Sequence, residues 1–286
     1  QYKNHQATSL AVRYFEEKKY DELLKLYEKI TPERLKPQPY DLKQCFFKAQ
    51  ALQNTNKEKE AIPYWDFIIR HSTNNYYKMH AYLYLGITAV EEKNYDYAIG
   101  FFKKGELMDP LAELYPEACF HLAQVYYLKN DFDKAINLLR PILKNNDNSA
   151  PIIPKIKALA GEINIKRIFS RRITSNSVDH MICAGETLAS IAEKYNANIE
   201  LIKKTNALST AVIRPHNHLK IVTSQFSILV NKTKNILTTF ENGEFFKGIC
   251  PFCKGKQLVM GKGGQKALHD RRRARCVIHA AKRLKL

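Results

Sequence analysis

The chain has 286 residues, 45% of them hydrophobic, and a formal net charge of +18. That length gives room for two or three domains with cores of their own, which excludes general disorder. The charge raises nucleic acid or an anionic surface as a partner, but about +11 of it falls between Lys247 and Leu286, where seven Lys and five Arg meet one acid. Elsewhere the excess is thin enough for solvated surface charge to account for it, so nucleic acid is not the favoured partner. No apolar run reaches the roughly eighteen residues of a membrane span. No signal-peptide pattern opens the chain, yet Gln1 is not an initiator methionine. The sequence is therefore expected to be a processed product or a fragment, with a removed signal or anchor left open. Six cysteines are too sparse for a disulfide scaffold. Cys45 and Cys119 sit within apolar helical patterns and are expected to be buried thiols.

The first 165 residues or so repeat. The clearest copy is "AYLYLGITAVEEKNYDYAIGFFKKGELMDP", Ala81 to Pro110. Leu85, Gly86 and Ala89 fall on one face of a first helix, Tyr95 closes the turn, and Ala98, Phe102 and Gly105 line a second helix. The next copy repeats this with Leu122, Ala123, Tyr126, Phe132, Ala135, Leu139 and Ile142. Earlier copies run through Leu10, Ala11, Tyr14, Tyr20, Leu23, Tyr27 and Ile30, then Ala49, Leu52, Ala61, Trp65 and Ile68. Corresponding points at Tyr20, Glu58, Tyr95 and Phe132 are 38, 37 and 37 residues apart. The small residues let two helices approach while the facing aromatic fills the gap. This pattern resembles the tetratricopeptide repeat family over roughly residues 4–146, and "IIPKIKALAGEINIKRIFSRR" is expected to cap the stack. The resemblance implies a helical solenoid at 4–168 whose groove takes a protein or peptide. The tyrosine-rich "YYKMHAYLYLG" is expected to leave one or two rings on that groove.

Residues 171–176, "RRITSN", read as a linker. Beyond them comes a strand (VDHMIC), a turn (AGE), a helix (TLASIAEKY) with Thr187 as N-cap, a turn (NAN), a helix (IELIKKTN), a loop (ALSTAVIRPHN) and a closing strand (HLKIV). The expected core is Ile182, Leu188, Ile191, Tyr195, Ile199, Leu201, Ile202, Leu219 and Ile221. The motifs "GETL", "IAEKY", "LIKKTNAL" and "IRP" are similar to those of the LysM family, a βααβ module that binds N-acetylglucosamine-containing glycans such as peptidoglycan or chitin. The resemblance places sugar contacts on Gly185, Glu186, Thr187 and Leu188 on one side, and on Asn206, Leu208, Ser209, Ile213, Arg214 and Pro215 on the other. On a structural reading of the same residues, Leu188 and Ile213 are core and Asn206 ends a helix. One departure is His216, which stands where the family pattern has Gly and is expected to strain its turn.

After Val222, alternating runs at Phe226–Val230 and Ile236–Phe240, followed by the turn signal "ENGE", predict hairpins over 224–247. They resemble the opening strands of an L,D-transpeptidase domain, which implies acyl transfer by a Cys–His pair. The family's glycine-flanked His and Cys elements are missing, and His269 and Cys276 are weak substitutes only seven residues apart. In the basic tail, 248–286, Cys250 and Cys253 with Cys276 and His279 have the spacing of a structural zinc site, which would make the tail a folded knuckle and a nucleic-acid binder. A truncated or frame-disrupted catalytic domain and a true basic tail both fit the change of composition there.

The sequence therefore predicts a mainly α protein: an α-helical solenoid of tetratricopeptide type, a small α+β (βααβ) LysM module at 177–223, a short β-hairpin segment and a basic tail. The favoured function is a non-catalytic cell-envelope protein, periplasmic or wall-associated, with glycan and protein partners and no cofactor. A diverged transpeptidase and a zinc-bearing nucleic-acid binder are the rivals.

Overall fold

A computed structural model describes residues 2–30, 42–104, 107, 109–145, 150–231, 233 and 236–249. The protein is mostly helical, with a small strand-containing region after the helices. The chain divides into two compact units, Gln1–Val125 and Tyr126–Leu286.

The first unit holds α1 (Tyr2–Glu16), α2 (Tyr20–Ile30), α3 (Leu42–Asn54), α4 (Glu58–His71), α5 (Asn75–Glu91), α6 (Tyr95–Phe102) and most of α7 (Tyr115–Leu128). The recurrence seen in the sequence reappears in the backbone. Lys18, Asn56, Lys93 and Asn130 all take positive φ, between 57° and 61°, at the turn inside each helix pair. The residue after each one closes the preceding helix with a backbone bond to the fifth residue before it: Lys19 N–H to Tyr14 O at 2.9 Å, Lys57 to Leu52 at 2.9 Å, Asn94 to Ala89 at 2.7 Å, and Asp131 to Tyr126 at 2.8 Å. This is the Schellman closure, which satisfies a carbonyl left open at the helix end and reverses the chain in three residues.

Between the helices, Ala11, Leu23, Ala49, Leu52, Ala61, Trp65, Ile68, Leu85, Ala98 and Phe102 are buried, as the repeat pattern predicts. A Cβ built on Gly86 would lie 2.4 Å from the Phe102 ring, so the close approach of α5 and α6 depends on glycine. Trp65 stacks on Tyr84 with ring centroids 5.1 Å apart, and Phe46 meets Tyr77, His80 and Trp65. Tyr76 is 44% exposed, so the tyrosine-rich stretch does leave a ring at the surface. Cys45 and Cys119 are buried, and burial pushes the Cys119 thiol up to about 11. α6 ends at Phe102, with Lys103 as its C-cap, and Leu107 is again helical. Gly105 lies outside the described residues.

In the second unit, α8 (Phe132–Lys144) and α9 (Ile153–Phe169) precede the strands, and α9 is the predicted capping helix. Next come β1 (Ser177–Met181), α10 (Leu188–Lys194), α11 (Ile199–Thr205) and β2 (His218–Val222). β1 and β2 pair antiparallel, from Ser177↔Val222 to Met181↔His218. Finally β3 (Phe226–Asn231), β4 (Ile236–Glu241) and β5 (Glu244–Ile249) form an antiparallel meander. Its second turn is Asn242-Gly243, with φ of 49° and 78°, as expected of a two-residue hairpin loop with both central residues left-handed.

The meander is anchored by buried polar groups. The inward face of β4 carries Leu237, Thr239 and Glu241. Glu241 pairs with Arg167 of α9, and both are almost fully buried. The Ser224 hydroxyl donates to the other Glu241 oxygen at 2.6 Å. Asn164 of α9 donates to the Phe246 carbonyl at 3.0 Å. Glu244 receives Arg140 at 2.5 Å and Lys144 at 2.9 Å, both from α8. Lys220 of β2 sends its amine into the C-terminal end of α9, donating to Arg167 O at 2.7 Å and Ser170 O at 3.0 Å. Burial, and then the nearby Arg167 charge, push the Lys220 amine down to about 8. Beside these groups Ile168, Val222 and Phe246 form an apolar seam with Ile165, Leu201 and Phe226.

Two sequence readings change here. The "RRITSN" stretch is not a free linker: Arg172 donates to Asn130 O at 3.0 Å, and the Ser175 hydroxyl to Asp133 at 3.1 Å. Leu201 also leaves the expected module core for the seam against α9, because its face of α11 meets that helix.

Candidate functional site

The βααβ segment is small, and its local structure is fixed mainly by caps. Thr187 accepts from Ser190 N–H while Ser190 reaches back to Thr187 N–H, a reciprocal capping box that starts α10. Asn198 starts α11 by accepting from Glu200 N–H at 2.9 Å and Leu201 N–H at 3.1 Å. Ile182, Leu188, Ile191, Ala192, Ile202, Leu219 and Ile221 form the core, with Tyr195, Ala197, Leu208 and Ile213 packed against it. Ile199, expected in that core, is 38% exposed at the first position of α11.

Because Met181 at the end of β1 pairs with His218 at the start of β2, the loop after β1 and the loop before β2 leave the same end of the two-stranded sheet. Ile182 N–H bonds Asn217 O at 2.9 Å and His216 N–H bonds Ile182 O at 2.8 Å, which extends that junction into both loops. Each loop contains a residue in the left-handed region at its bend, Gly185 at φ 85° and His216 at φ 67°. The strain expected of His216 is thus visible in its backbone.

The ten residues singled out for sugar contact divide by where their side chains go. Gly185, Thr187, Ser209, Arg214 and Pro215 are exposed. Leu188 is 3% exposed and its side chain is core, while Leu208 and Ile213 are partly buried against the same cluster. Asn206 caps α11 and is fully engaged: its amide donates to Ile202 O at 2.8 Å and Lys220 O at 2.9 Å, and its carbonyl accepts from Lys220 N–H at 2.8 Å. Glu186 turns inward, where one oxygen accepts from Cys183 N–H at 2.8 Å and lies 2.9 Å from His180 Nε2. The Cys183 N–H, and after it His180, hold the Glu186 carboxyl below the usual carboxylate range. Leu188, Glu186 and Asn206 therefore support the loops from inside, and the exposed residues form the face toward solvent.

Sequence reasoning missed His180 altogether and placed Tyr195 only as core. The signal was present: β alternation puts His180 on the same face as Ile182, and a buried imidazole needs partners. It also passed over Val212, 77% exposed within the second loop.

The weak catalytic pair, His269 and Cys276, and the zinc-spaced Cys250, Cys253, Cys276 and His279 all lie outside the described residues. Among the described residues no cluster of three or more His, Cys, Asp or Glu could hold a metal ion. None of the described helices is long and apolar enough to cross a membrane.

Comparison with known families gives two matches. Residues 89–158 match the tetratricopeptide repeat and residues 180–222 match the LysM domain. The chain thus carries a repeat region of the protein-interaction class and a domain of the glycan-binding class. Neither match reaches the 224–247 meander, and the resemblance of that segment to an L,D-transpeptidase is not supported. No curated protein matches the chain.

Proposed function

We propose that this is a cell-envelope protein that holds peptidoglycan, or another N-acetylglucosamine-containing glycan, on its LysM domain and a protein or peptide on its helical repeats. It acts by binding, without catalysis of its own. The carrying observation is the division of labour at the sheet end: Glu186, Leu188 and Asn206 are spent internally, which leaves Gly185, Thr187, Ser209, Arg214 and Pro215 facing outward from two adjacent loops. Backbone groups beside Gly185 and the Ser209 hydroxyl suit acetamido and hydroxyl groups, while Pro215 and Val212 offer shallow apolar contact to a sugar face. In domain terms the repeats and their cap span 4–168, the glycan module 177–223, the meander 224–247 and the basic tail 248–286.

The test is retention of the full chain on insoluble peptidoglycan, with and without high salt and soluble N-acetylglucosamine oligomers. One small site is expected to bind in the micromolar-to-millimolar range, about −8 to −4 kcal/mol. Retention that survives salt and is competed by the oligomers supports the reading. Retention abolished by salt and indifferent to the oligomers would reduce it to attraction between a basic chain and an anionic polymer.

A further inference from the structure

We infer that His180 is a positioning residue for the glycan site, holding the Gly185–Thr187 loop in its binding shape through a Tyr195–His180–Glu186 hydrogen-bond chain. The inference rests on the glycan reading above and goes beyond it by assigning the loop's shape to a residue that does not face the sugar. His180 lies in β1 opposite Leu219 and is 5% exposed. Its Nε2 is 2.9 Å from Glu186 Oε2 and its Nδ1 is 3.1 Å from the Tyr195 hydroxyl. The ring also packs edge-on to Tyr195, with centroids 5.4 Å apart.

Glu186 is acceptor-only when ionised, so the imidazole must present Nε2–H to it. Nδ1, on the other side of the ring, meets the Tyr195 hydroxyl, which can donate or accept, so both ring nitrogens have a partner. With Cys183 N–H donating to the same carboxylate oxygen at 2.8 Å, Glu186 draws the chain inward between two residues that face outward. Gly185, at φ 85°, supplies the bend this requires. The loop is thereby ordered before any sugar arrives, and binding does not have to pay the entropy of ordering it. The other charged or titratable groups around this chain are Lys194, whose amine is 4.0 Å from the second Glu186 oxygen, and the exposed Cys183 thiol. Asp179 and His218 pair with each other at 2.8 Å at exposed positions of the two strands.

The experiment measures affinity of the full chain for a soluble N-acetylglucosamine oligomer, alongside thermal melting, for the parent and three variants. His180→Phe keeps a ring but has no donor, and is expected to bind about tenfold more weakly. His180→Gln can still donate an N–H to Glu186 and is expected to stay within about threefold of the parent. Tyr195→Phe removes one oxygen from a ring that remains packed, and is expected to weaken binding by about threefold. A pH series gives a readout that simple packing would not move. Because the Glu186 pKa is lowered in the folded protein, its anchor is present above the ordinary carboxylate range and is lost as pH falls through the lowered value. Parent affinity should therefore drop there, and the drop should begin at a higher pH in His180→Phe, where the Cys183 N–H alone still holds the carboxylate. If the parent fails to bind the oligomer, the glycan reading itself fails. If the parent binds and His180→Phe binds equally well, or His180→Gln is as weak as His180→Phe at unchanged melting, the positioning role is overturned.

Discussion

Each of the two units has an interior built on its own chemistry. In Gln1–Val125 the interior is apolar and aromatic, built on Trp65, Phe46, Phe102, Leu23, Ile68 and Leu83, while its described ion pairs, Arg13–Glu17, Lys19–Glu17 and Arg70–Asp66, sit on exposed surface. Even its buried His80 is kept neutral, with burial pushing it down to about 4 and no hydrogen-bond partner for its ring among the described residues. From Tyr126 onward the interior includes Arg167, Glu241, Lys220 and Asn164, joined by bonds between distant parts of the sequence, and His180, bonded within its own module. A stack of like repeats needs only shape, since each pair meets a near copy of itself. A junction of unlike pieces must fix one arrangement among several, and directional bonds between buried polar groups can specify it where apolar contact alone would slide.

The largest expected effect tests that reading of the second unit. Glu241→Ala leaves the buried Arg167 with only the Asp133 carboxylate, 3.9 Å away, in place of its direct partner and should cost about 3–5 kcal/mol. Amide hydrogen exchange across residues 126–249 is the suitable measurement, because the single tryptophan, Trp65, reports only on the other unit. Replacing the pair together, as Arg167→Met with Glu241→Leu, should recover most of that loss, since the penalty comes from the unpaired charge. A mild effect of Glu241→Ala alone would mean that the apolar seam of Ile168, Val222 and Phe246 carries the junction by itself.

The next effect belongs to the first unit, where shape should be the sensitive quantity. Gly86→Leu places atoms where the Phe102 ring already stands and should cost about 1–3 kcal/mol. Trp65 fluorescence during denaturation follows it directly. If this variant unfolds at the parent's midpoint, the close pairing of α5 and α6 is not what sets stability there.

The same contrast explains what the sequence made legible. The 37-to-38-residue recurrence is local and apolar, so Gly86, Ala98, Ala123 and Phe132 declared their roles by spacing alone, and the left-handed turns follow with the same interval. Thr187 as a cap and Asn242-Gly243 as a turn were equally plain, because each acts within four residues of itself. The junction was hidden. Arg167 and Glu241 are 74 positions apart, and Lys220, on a short closing strand, reads as an ordinary surface lysine. At the candidate site the loops were readable by resemblance, but the division between outward-facing and supporting residues was not. Whether Asn206 or Glu186 turns inward depends on Lys220 and His180, which no local pattern connects to them.

The smallest expected effect separates the two units by their turns. Lys18, Asn56 and Lys93 accept left-handed φ at helix ends where the Schellman bonds offset it, the three closures being 2.9, 2.9 and 2.7 Å. His216 takes φ 67° with a backbone bond to Ile182 O, and the residue is exposed. A non-glycine residue in this region costs about 1–2 kcal/mol, of which a glycine's extra freedom in the unfolded chain gives back roughly half. His216→Gly should therefore stabilise the second unit by about 0.5–1 kcal/mol, seen as slower exchange at Ile182 and Leu219, with little change in oligomer affinity. The matching change in the first unit, Lys93→Gly, should gain less, because the closure onto Ala89 already compensates the backbone. Equal gains at both positions would show that the turns of the repeats are as strained as the sugar-side loop, and that the difference between the units lies in their buried polar groups alone.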